Sequence, residues 1–250
     1  MLKATFILPV LMLITLWSAG NSSSQEPELI AQWPLDESSG EVVHDIIGGR
    51  DGEFMGDGFE WVPAKFGNGL QFDGAGSYVE IPKAPELESA ESVTLMAWFN
   101  FSTVAGRQDI VSYADSYAII LDGTLLRGFI FQGGNWPMAT GVTNVKPDEW
   151  YFGTMTYDST DVKIYVNGEL DGTTAAPGEI GFQVAPFWFG GAPADPGQAW
   201  WFNGILDEVE IWNRAMTEDE IMTAYQSPPP SSAVGSKGKL AATWGDLKLR

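Results

Sequence analysis

The stretch Val162-Lys-Ile-Tyr-Val-Asn167-Gly168-Glu-Leu170 decides the fold class, because it joins two short apolar runs through a tight turn. Val162, Ile164 and Val166 recur at every second position, a period that predicts a strand with one buried face. Asn-Gly is a dipeptide that tolerates the positive φ angles of a two-residue hairpin turn. The stretch therefore predicts an antiparallel β-hairpin.

The same period of two extends outward over most of the chain. Residues 29–35 and 93–101 carry apolar side chains at alternate positions. Further apolar runs lie at 78–81, 109–113, 117–121, 126–131, 150–157, 187–189 and 205–212. Turn dipeptides separate these runs, among them Asp122-Gly123, Gly133-Gly134 and Asp171-Gly172. The pattern predicts about ten short strands joined by tight turns.

Only one segment has the signals of a good helix. Thr217-Glu-Asp-Glu220 is a capping box, and it leads into Ile221, Met222 and Tyr225. Many strands with no helices between them exclude a parallel α/β fold. We therefore expect an all-β protein, a two-sheet antiparallel β-sandwich of the jelly-roll type with one short C-terminal helix.

A formal net charge of −20, from 13 Lys and Arg against 33 Asp and Glu, excludes several functions. It repels phosphate backbones and anionic lipids, which argues against nucleic-acid binding and against a basic membrane-binding patch. The absence of cysteine excludes disulfides, thiolate metal sites and cysteine nucleophiles. His44 is the single histidine, and no Gly-x-Ser-x-Gly motif accompanies it, so a protease-type triad is not expected. Cations and neutral ligands remain.

Both ends of the chain differ in composition from the body at 26–226. Residues 1–20 combine Lys3, an apolar run and small residues up to Gly20, which predicts a secretory signal peptide. The apolar run is shorter than the roughly 20 residues of a spanning helix, so we expect no membrane span after cleavage. Residues 227–250 are predicted to be a Pro/Ser-rich linker and a basic tail. The protein is expected to be secreted, periplasmic or on the cell surface.

Three stretches of the body carry a family resemblance when they are taken in order. They are Leu29–Gly40 with Asp45–Gly52, then Lys65–Pro82, then Phe202–Ala215 with the helix that follows. In this order they resemble the laminin-G-like jelly-roll domains of the concanavalin A-like lectin/glucanase superfamily, which are common in secreted bacterial proteins. The resemblance implies a sandwich with a concave face. It leaves function open, because this fold hosts sugar-binding, protein-binding and hydrolytic members.

The resemblance also implies a structural Ca²⁺ near the two ends of the domain. The matching positions are Asp36 in the early loop, Asp207 on the last strand and, less directly, the carbonyl of Gly49. Asp207 alternates in phase with Val209 and its apolar neighbours, so we expect it to face the core, where a carboxylate needs a metal or a partner. The alternatives are a pair with Arg214 or capping by backbone N–H groups.

A pair of carboxylates on the last strand raises the possibility of glycoside hydrolysis. Glu208 and Glu210 are predicted on one strand face, about 7 Å apart by strand rise. Glucanases of this fold carry Glu-x-Asp-x-x-Glu with all three acids on one face. Here the first Glu is missing and Asp207 is predicted on the opposite face. A solvent-facing acidic strand is therefore expected, with no catalytic residues.

The chain has 11 Trp residues, and three of them fall in predicted loops. Trp136 follows Asn135, and Trp200 and Trp201 follow a Pro/Gly-rich segment. Flat rings beside amides and carboxylates suit carbohydrate, since rings stack on sugar faces and polar groups bind hydroxyls. The same rings also suit a protein contact or a plug at the end of the sandwich. These four residues are the candidate ligand site.

Together these features predict a secreted, non-enzymatic binding or adhesion module for carbohydrate or an extracellular protein. The alternatives are a glycan-degrading hydrolase of the same fold and a structural component of the cell envelope. No nucleic-acid partner is expected.

Overall fold

The computed structural model describes residues 28–193 and 200–227, and these form two antiparallel sheets and one α-helix. The predicted signal peptide and the basic tail therefore lie outside the described residues. The strands are β1 Leu29–Trp33, β2 Val42–Val43, β3 Gly52–Met55, β4 Phe59–Pro63, β5 Asn68–Asp73, β6 Tyr78–Ile81, β7 Val93–Phe101, β8 Arg107–Tyr113, β9 Tyr117–Asp122, β10 Leu125–Ile130, β11 Met138–Asn144, β12 Tyr151–Tyr157, β13 Asp161–Val166, β14 Glu169–Ala175, β15 Phe187–Phe189 and β16 Asn203–Trp212. A 3-10 helix covers Pro85–Leu87, and α1 covers Glu218–Gln226.

Each sheet has eight strands. The first has the order β14-β13-β12-β7-β16-β5-β4, with β1 also paired to β16. The second has the order β11-β10-β9-β8-β15-β6-β3-β2. Non-consecutive neighbours such as β7-β16 and β8-β15 show that the chain crosses between the sheets, as in a jelly roll. The predicted fold class is confirmed.

The main core lies between the sheets and is built from the alternate side chains that the period of two predicts. From the first sheet it takes Leu95, Phe99 and Ile211, and from the second Val111 and Phe187, all fully buried. Trp33 joins the two by stacking on Phe187 with ring centres 5.7 Å apart. Burial of this apolar surface is the main force that holds the sheets together.

The predicted turns are mostly confirmed, with one exception. Asn167 and Gly168 have φ values of 53° and 85°, the left-handed conformation that their hairpin turn requires. Asp171-Gly172, predicted as a turn, lies inside β14, where the pairing with β13 shifts. Gly172 is needed there because a Cβ would lie 2.3 Å from the carbonyl oxygen of Thr140. The glycine thus marks a bulge and a close approach of the backbone.

A bulge in β16 corrects the prediction for the last strand. Pairing with β7 shifts between Asp207 and Glu210, and Glu208 has a φ of 50°. The bulge places both Leu206 and Val209 in the main core, so Asp207 faces away from it. The prediction that Asp207 lies in phase with Val209 and opposite Glu210 was wrong. Asp207 and Glu210 lie opposite Trp98 and Met96 of β7, on the outer face of the first sheet.

The predicted capping box is confirmed at the start of α1. The Thr217 hydroxyl accepts a hydrogen bond from the Glu220 N–H, and the Glu220 carboxylate accepts one from the Thr217 N–H at 2.9 Å. Ile221 and Tyr225 turn the apolar side of the helix to a second cluster on the outer face of the first sheet. Trp98 lies in this cluster and stacks on Tyr225, with ring centres 5.5 Å apart. The helix therefore covers the outer face of the first sheet.

Candidate functional site

The outer face of the second sheet carries a row of aromatic side chains near the turn between β8 and β9. We call Tyr78, Trp136, Trp200 and Trp201 the aromatic platform. Trp136 is its most exposed member, with 47% of its surface accessible. The Trp136 ring rests against Phe131, and its indole N–H donates to the carbonyl oxygen of Asp115 at 3.1 Å. One ring face is thus held in place while the side chain stays open to solvent.

A tight turn positions Trp136. Gln132 and Asn135 exchange backbone hydrogen bonds, and Gly133 and Gly134 between them have φ values of 56° and 95°. Glycine adopts this left-handed conformation without a Cβ clash, so the predicted turn forms at little cost. Asn135 is exposed in this turn beside Trp136. The turn presents the amide and the ring together.

The side chain of Arg107 packs against the ring of Trp200. The guanidinium carbon of Arg107 lies 3.7 Å from the centre of the Trp200 ring and 5.2 Å from that of Phe129. Such a contact is worth roughly 0.5–2 kcal/mol, depending on how dry it is. The carbonyl oxygen of Trp200 also accepts a hydrogen bond from the Asp109 N–H. Backbone and ring are therefore both attached to β8.

Arg107 is itself held by two aspartates. It donates to Asp109 from Nε at 2.6 Å and from Nη2 at 2.8 Å, and Nη2 also donates to Asp115 at 3.2 Å. Burial raises the pKa of Asp109 to about 6, although the hydrogen bonds from Arg107 act to lower it. The network links Trp136 to Trp200, since the backbone carbonyl oxygen of Asp115 accepts from the Trp136 indole and Arg107 packs against the Trp200 ring.

Backbone irregularities set up this network. The pairing of β8 with β9 shifts between Asp109 and Val111, so Asp109 faces outward although Val111 lies in the main core. Ala114 and Asp115, in the turn that follows, have φ values of 46° and 59°. Residues without glycine's freedom are held in this conformation only where their surroundings fix it, and such places cluster at functional sites.

The other end of the platform is made of Trp201 and Tyr78. Their rings stack with centres 5.7 Å apart and planes 21° apart. Beside them Trp188 is buried, and its indole N–H donates to the carboxylate of Glu80 at 3.2 Å. Trp200 packs into the same cluster. Tyr78 therefore connects Trp201 to the cluster that holds Trp188 and Trp200.

The four residues predicted from the loops are thus connected, although they come from two segments far apart in sequence. Trp136 and Trp200 are connected through the Asp115–Arg107 pair, and Trp201 reaches the cluster of Trp200 through its stacking on Tyr78. The prediction did not include Arg107, Asp115 or Tyr78. An Arg two residues before an Asp in a strand gives no signal of its own. The two side chains share a face by alternation, and the bulge after Asp109 makes that face the outer one.

Asp207 and Asp36 lie near each other, as the family resemblance implied. β1 pairs with β16 at Val209–Trp212 and β5 pairs with it at Asn203–Leu206, so the bulge at Asp207 lies where one neighbour replaces the other. Asp207 is fully buried, and one of its oxygens accepts from the Phe66 N–H at 2.8 Å. Burial raises the pKa of Asp207 to about 8, and the nearby Asp36 contributes to the rise.

The second oxygen of Asp207, Oδ1, is buried and accepts no well-formed hydrogen bond, although the N–H groups of Lys65 and Glu208 lie close enough to lower the pKa of the carboxyl. Backbone capping is therefore partial, and Arg214 pairs with Glu28 and Glu220 instead of Asp207. In the described part of the chain no three His, Cys, Asp or Glu side chains come together as a metal-binding group. A cation here would need backbone carbonyls or water to complete its shell of oxygens. An unpartnered buried oxygen next to a second carboxylate fits such an ion.

Gly49 lies in a neighbouring loop that Asp45 organises. The buried carboxylate of Asp45 accepts backbone hydrogen bonds from Gln32, Ile47, Gly48 and Arg50, at 2.9 to 3.1 Å. The N–H of Gly49 donates to the Asp45 carbonyl oxygen. The contacts found within residues 28–193 and 200–227 do not join Gly49 to Asp36 or Asp207. Asp45 was not among the predicted site residues.

Glu208 and Glu210 are not the solvent-facing acids that the strand pattern predicted. Glu208 is buried and Glu210 is half-buried, because the bulge turns both toward Gln32. The Gln32 side-chain amide donates to Glu208 at 3.4 Å and to Glu210 at 3.1 Å, and the Trp212 indole donates to Glu210 at 2.9 Å. Burial raises the pKa of Glu210 to about 7. Both carboxylates are engaged in the packing of the sheet.

Comparison of the sequence with known families agrees with this architecture. The Laminin_G_3 model, described as the concanavalin A-like lectin/glucanases superfamily, matches residues 73–222. The chain belongs to this superfamily. No curated protein matches the chain in sequence. Among the described residues no helix has both the length and the apolar character of a membrane span.

Solved structures that resemble this member of the superfamily include several toxin binding domains. The binding domain of Paraclostridial Mosquitocidal Protein 1 superposes with a TM-score of 0.64 and 14% identity, over 79% of this chain and 52% of that one. The binding domain of botulinum neurotoxin DC in complex with SialylT gives 0.60 and 14%, over 80% and 51%. The chain thus spans about half the length of these toxin domains.

A third similar structure is matched over nearly its whole length. It is domain 4 of AbnA, a GH43 extracellular arabinanase from Geobacillus stearothermophilus, in complex with arabinotriose. The TM-score is 0.58 with 18% identity, over 80% of this chain and 98% of that one. At these identities the likenesses show a shared fold.

Proposed function

We propose that this protein is a non-catalytic module that binds carbohydrate through the aromatic platform. One observation carries the proposal: the Asp115–Arg107 pair connects the exposed ring of Trp136 to the ring of Trp200. Rings held from behind keep one face free for the apolar face of a sugar, and they lose little conformational entropy on binding. The exposed Asn135 and the carboxylate of Asp115 supply hydrogen-bond partners for hydroxyl groups.

The similar structures support this proposal. Two of them are described as binding domains, and the third is domain 4 of an arabinanase in complex with arabinotriose. The engagement of Glu208 and Glu210 with Gln32 supports a role without catalysis, because glycoside hydrolysis generally needs two carboxyl groups facing a bound sugar. The alternative is a hydrolase of the same fold. It would be supported if the purified chain hydrolysed a polysaccharide and both Glu208→Gln and Glu210→Gln abolished that activity.

The test is a glycan array probed with the purified chain and with Trp136→Ala. Trp61→Ala is the matched control, because Trp61 is a half-buried tryptophan that packs on Phe54 and donates its indole N–H to the Gly40 carbonyl oxygen. It resembles Trp136 in its contacts but lies on β4 of the first sheet. If the Trp136 ring stacks on a sugar, glycan affinity should fall at least tenfold in Trp136→Ala and stay unchanged in Trp61→Ala.

Two outcomes would overturn the proposal. Glycan binding that survives Trp136→Ala at full strength would place the ligand elsewhere. An array with no signal, together with capture of an extracellular protein that Trp136→Ala abolishes, would make the aromatic platform a protein-binding surface. Thermal unfolding of both variants would show that the fold is intact in each case.

We also propose that Asp36 and Asp207 hold a structural Ca²⁺. The Oδ1 atom of Asp207 supports this, since a buried carboxylate oxygen without a well-formed hydrogen bond is costly unless a cation or a proton compensates it. The ion would join the loop after β1 to the last strand and so tie the two ends of the domain together. Gly49 is retained as a candidate carbonyl ligand only on the family resemblance.

Export is a further part of the proposed function. The composition of residues 1–20 supports a signal peptide with cleavage near Gly20, and a secreted or cell-surface module would meet glycans there. Mass spectrometry of the protein from the culture medium and periplasm tests this. Recovery only as the full-length chain inside cells would contradict it.

A further inference from the structure

The charges around the aromatic platform bear on which glycans it accepts. The strands of the second sheet contain two basic residues, Arg107 on β8 and Arg127 on β10. Arg107 uses Nε and Nη2 on Asp109 and Asp115, and Trp200 covers the face of its guanidinium. Arg127 is paired with Asp122 at 2.9 Å. Each cation is therefore already compensated by an acid of the protein.

Acidic groups on the same face exceed these cations. Asp109, Asp115 and Asp122 pair with the two arginines, and Glu80 adds a carboxylate that accepts only the neutral N–H of Trp188. The chain as a whole has a net charge of −20. The field at the platform is accordingly negative.

From this charge arrangement we infer that the aromatic platform binds neutral glycans and discriminates against glycans that carry carboxylate, sulfate or phosphate groups. The inference rests on the proposed function and deepens it. A neutral sugar donates its hydroxyls to the rim carboxylate of Asp115 and stacks on the ring of Trp136. An acidic sugar finds no uncompensated cation on this face of the described structure, and it brings its charge close to Asp115. Its charge is repelled by Asp115 and loses water without gaining a cation as a partner, and both effects weaken its binding.

The experiment compares matched neutral and acidic glycans on one array, for example lactose with sialyllactose and methyl-esterified with free polygalacturonate. Binding is scored as site-specific only where Trp136→Ala removes it. We expect every site-specific glycan to be neutral, and its acidic counterpart to bind at least tenfold more weakly. Site-specific binding of an acidic glycan as tight as that of its neutral counterpart would overturn the inference and leave the proposed function standing.

A charge variant gives a second readout. Asp115→Asn removes the rim carboxylate and should improve binding of the acidic glycans by about threefold at low salt, and less at high salt, where charges are screened. Asp57→Asn is the control, because Asp57 is exposed on the β3–β4 turn and changes the net charge equally. An equal gain in acidic-glycan affinity in both variants, or no gain in Asp115→Asn, would contradict a local effect of the Asp115 charge. If Trp136→Ala affects no glycan at all, the proposed function fails and the inference fails with it.

Discussion

The guanidinium carbon of Arg107 lies 3.7 Å from the centre of the Trp200 ring, and the same guanidinium donates two hydrogen bonds to the buried carboxylate of Asp109. The same side chain therefore anchors an aromatic ring of the platform and neutralises a charge inside the protein. This double role explains why the loop before β16 can present Trp200 at a fixed place. It also makes Arg107 the residue on which the geometry of the site depends most.

Arg107→Lys tests this role. Lysine keeps the charge but loses the planar fork and the stacking, so we expect binding of a platform ligand to fall about tenfold or more and the near-UV circular dichroism of the tryptophans to change. The free energy of unfolding should fall by about 1–3 kcal/mol. Arg127→Lys is the control, because Arg127 is half-buried in a single pair with Asp122. Equal effects of the two changes would show that Arg107 has no special part in the site.

Much of the fold could be predicted because alternating apolar residues depend only on local geometry. β6 and β15 have the predicted bounds, and the hairpin at Asn167-Gly168 forms as its dipeptide indicates. The strands β2 and β3 were not predicted, because β2 has only two residues and β3 begins with Gly52 and Glu53 and so shows no apolar run. The dipeptide Asp171-Gly172 was predicted to form a turn, but it lies at a bulge inside a strand.

The candidate sites could be predicted less well, and bulges are the reason. A single extra residue exchanges the two faces of a strand, so Asp109 and Asp207 both leave the core side that strict alternation assigns to them. Asp207 is buried as expected, although the strand phase from which its burial was predicted was wrong. Its position near Asp36 followed from the resemblance, which relies on the order of motifs. Trp136 and Trp200 were chosen for residue type, but the connection through Asp115 exists only in three dimensions.

Asp45→Ala should be one of the most destabilising single changes in the early loop. The carboxylate accepts several backbone N–H groups, including that of Gln32, and is buried with 4% of the residue exposed. Removal leaves those donors unsatisfied, so we expect a loss of about 2–4 kcal/mol in chemical denaturation. Asp51→Ala is the matched control, since the carboxylate of Asp51 is 46% exposed and accepts from the Asp45 N–H and pairs with His44. A cost for Asp45→Ala no larger than for Asp51→Ala would contradict the capping role.

Thr217→Ala tests the attachment of α1. Loss of the capping hydroxyl should lower the free energy of unfolding by about 1 kcal/mol. Thr223→Ala makes the same substitution at an exposed position inside the helix, where alanine is the better helix former, and should leave stability unchanged or slightly raised. Because Tyr225 of this helix stacks on Trp98, fluorescence of the tryptophans should respond to Thr217→Ala alone. The same cost in both variants would argue against the cap.

The buried acids predict how stability depends on pH when divalent cations are absent. Asp207, Glu210 and Asp109 have folded-state pKa values raised by burial to about 8, 7 and 6. A carboxyl whose pKa is higher in the folded state binds protons more tightly there, so its contribution is full below pH 4 and is lost as the pH rises through the folded pKa. The Tm in a chelator should therefore fall by several degrees between pH 5 and pH 8. Glu220, whose pKa Arg214 lowers to about 2, acts in the opposite sense but below this window.

Asp207→Asn separates the contribution of Asp207 from those of the other acids. Asparagine imitates the protonated carboxyl, so the variant should unfold at a higher temperature than the parent at pH 8 in chelator, and its Tm should vary less with pH. The slope that remains belongs to Glu210 and Asp109, and Glu210→Gln should reduce it in the same way. Addition of Ca²⁺ at pH 8 should raise the Tm of the parent, because an ion that binds only the folded state stabilises it, and should leave Asp207→Asn unchanged. A parent Tm that changes with neither chelator nor Ca²⁺ at constant ionic strength would contradict the calcium proposal. The dependence of the Tm on pH would still test whether Asp207 is buried.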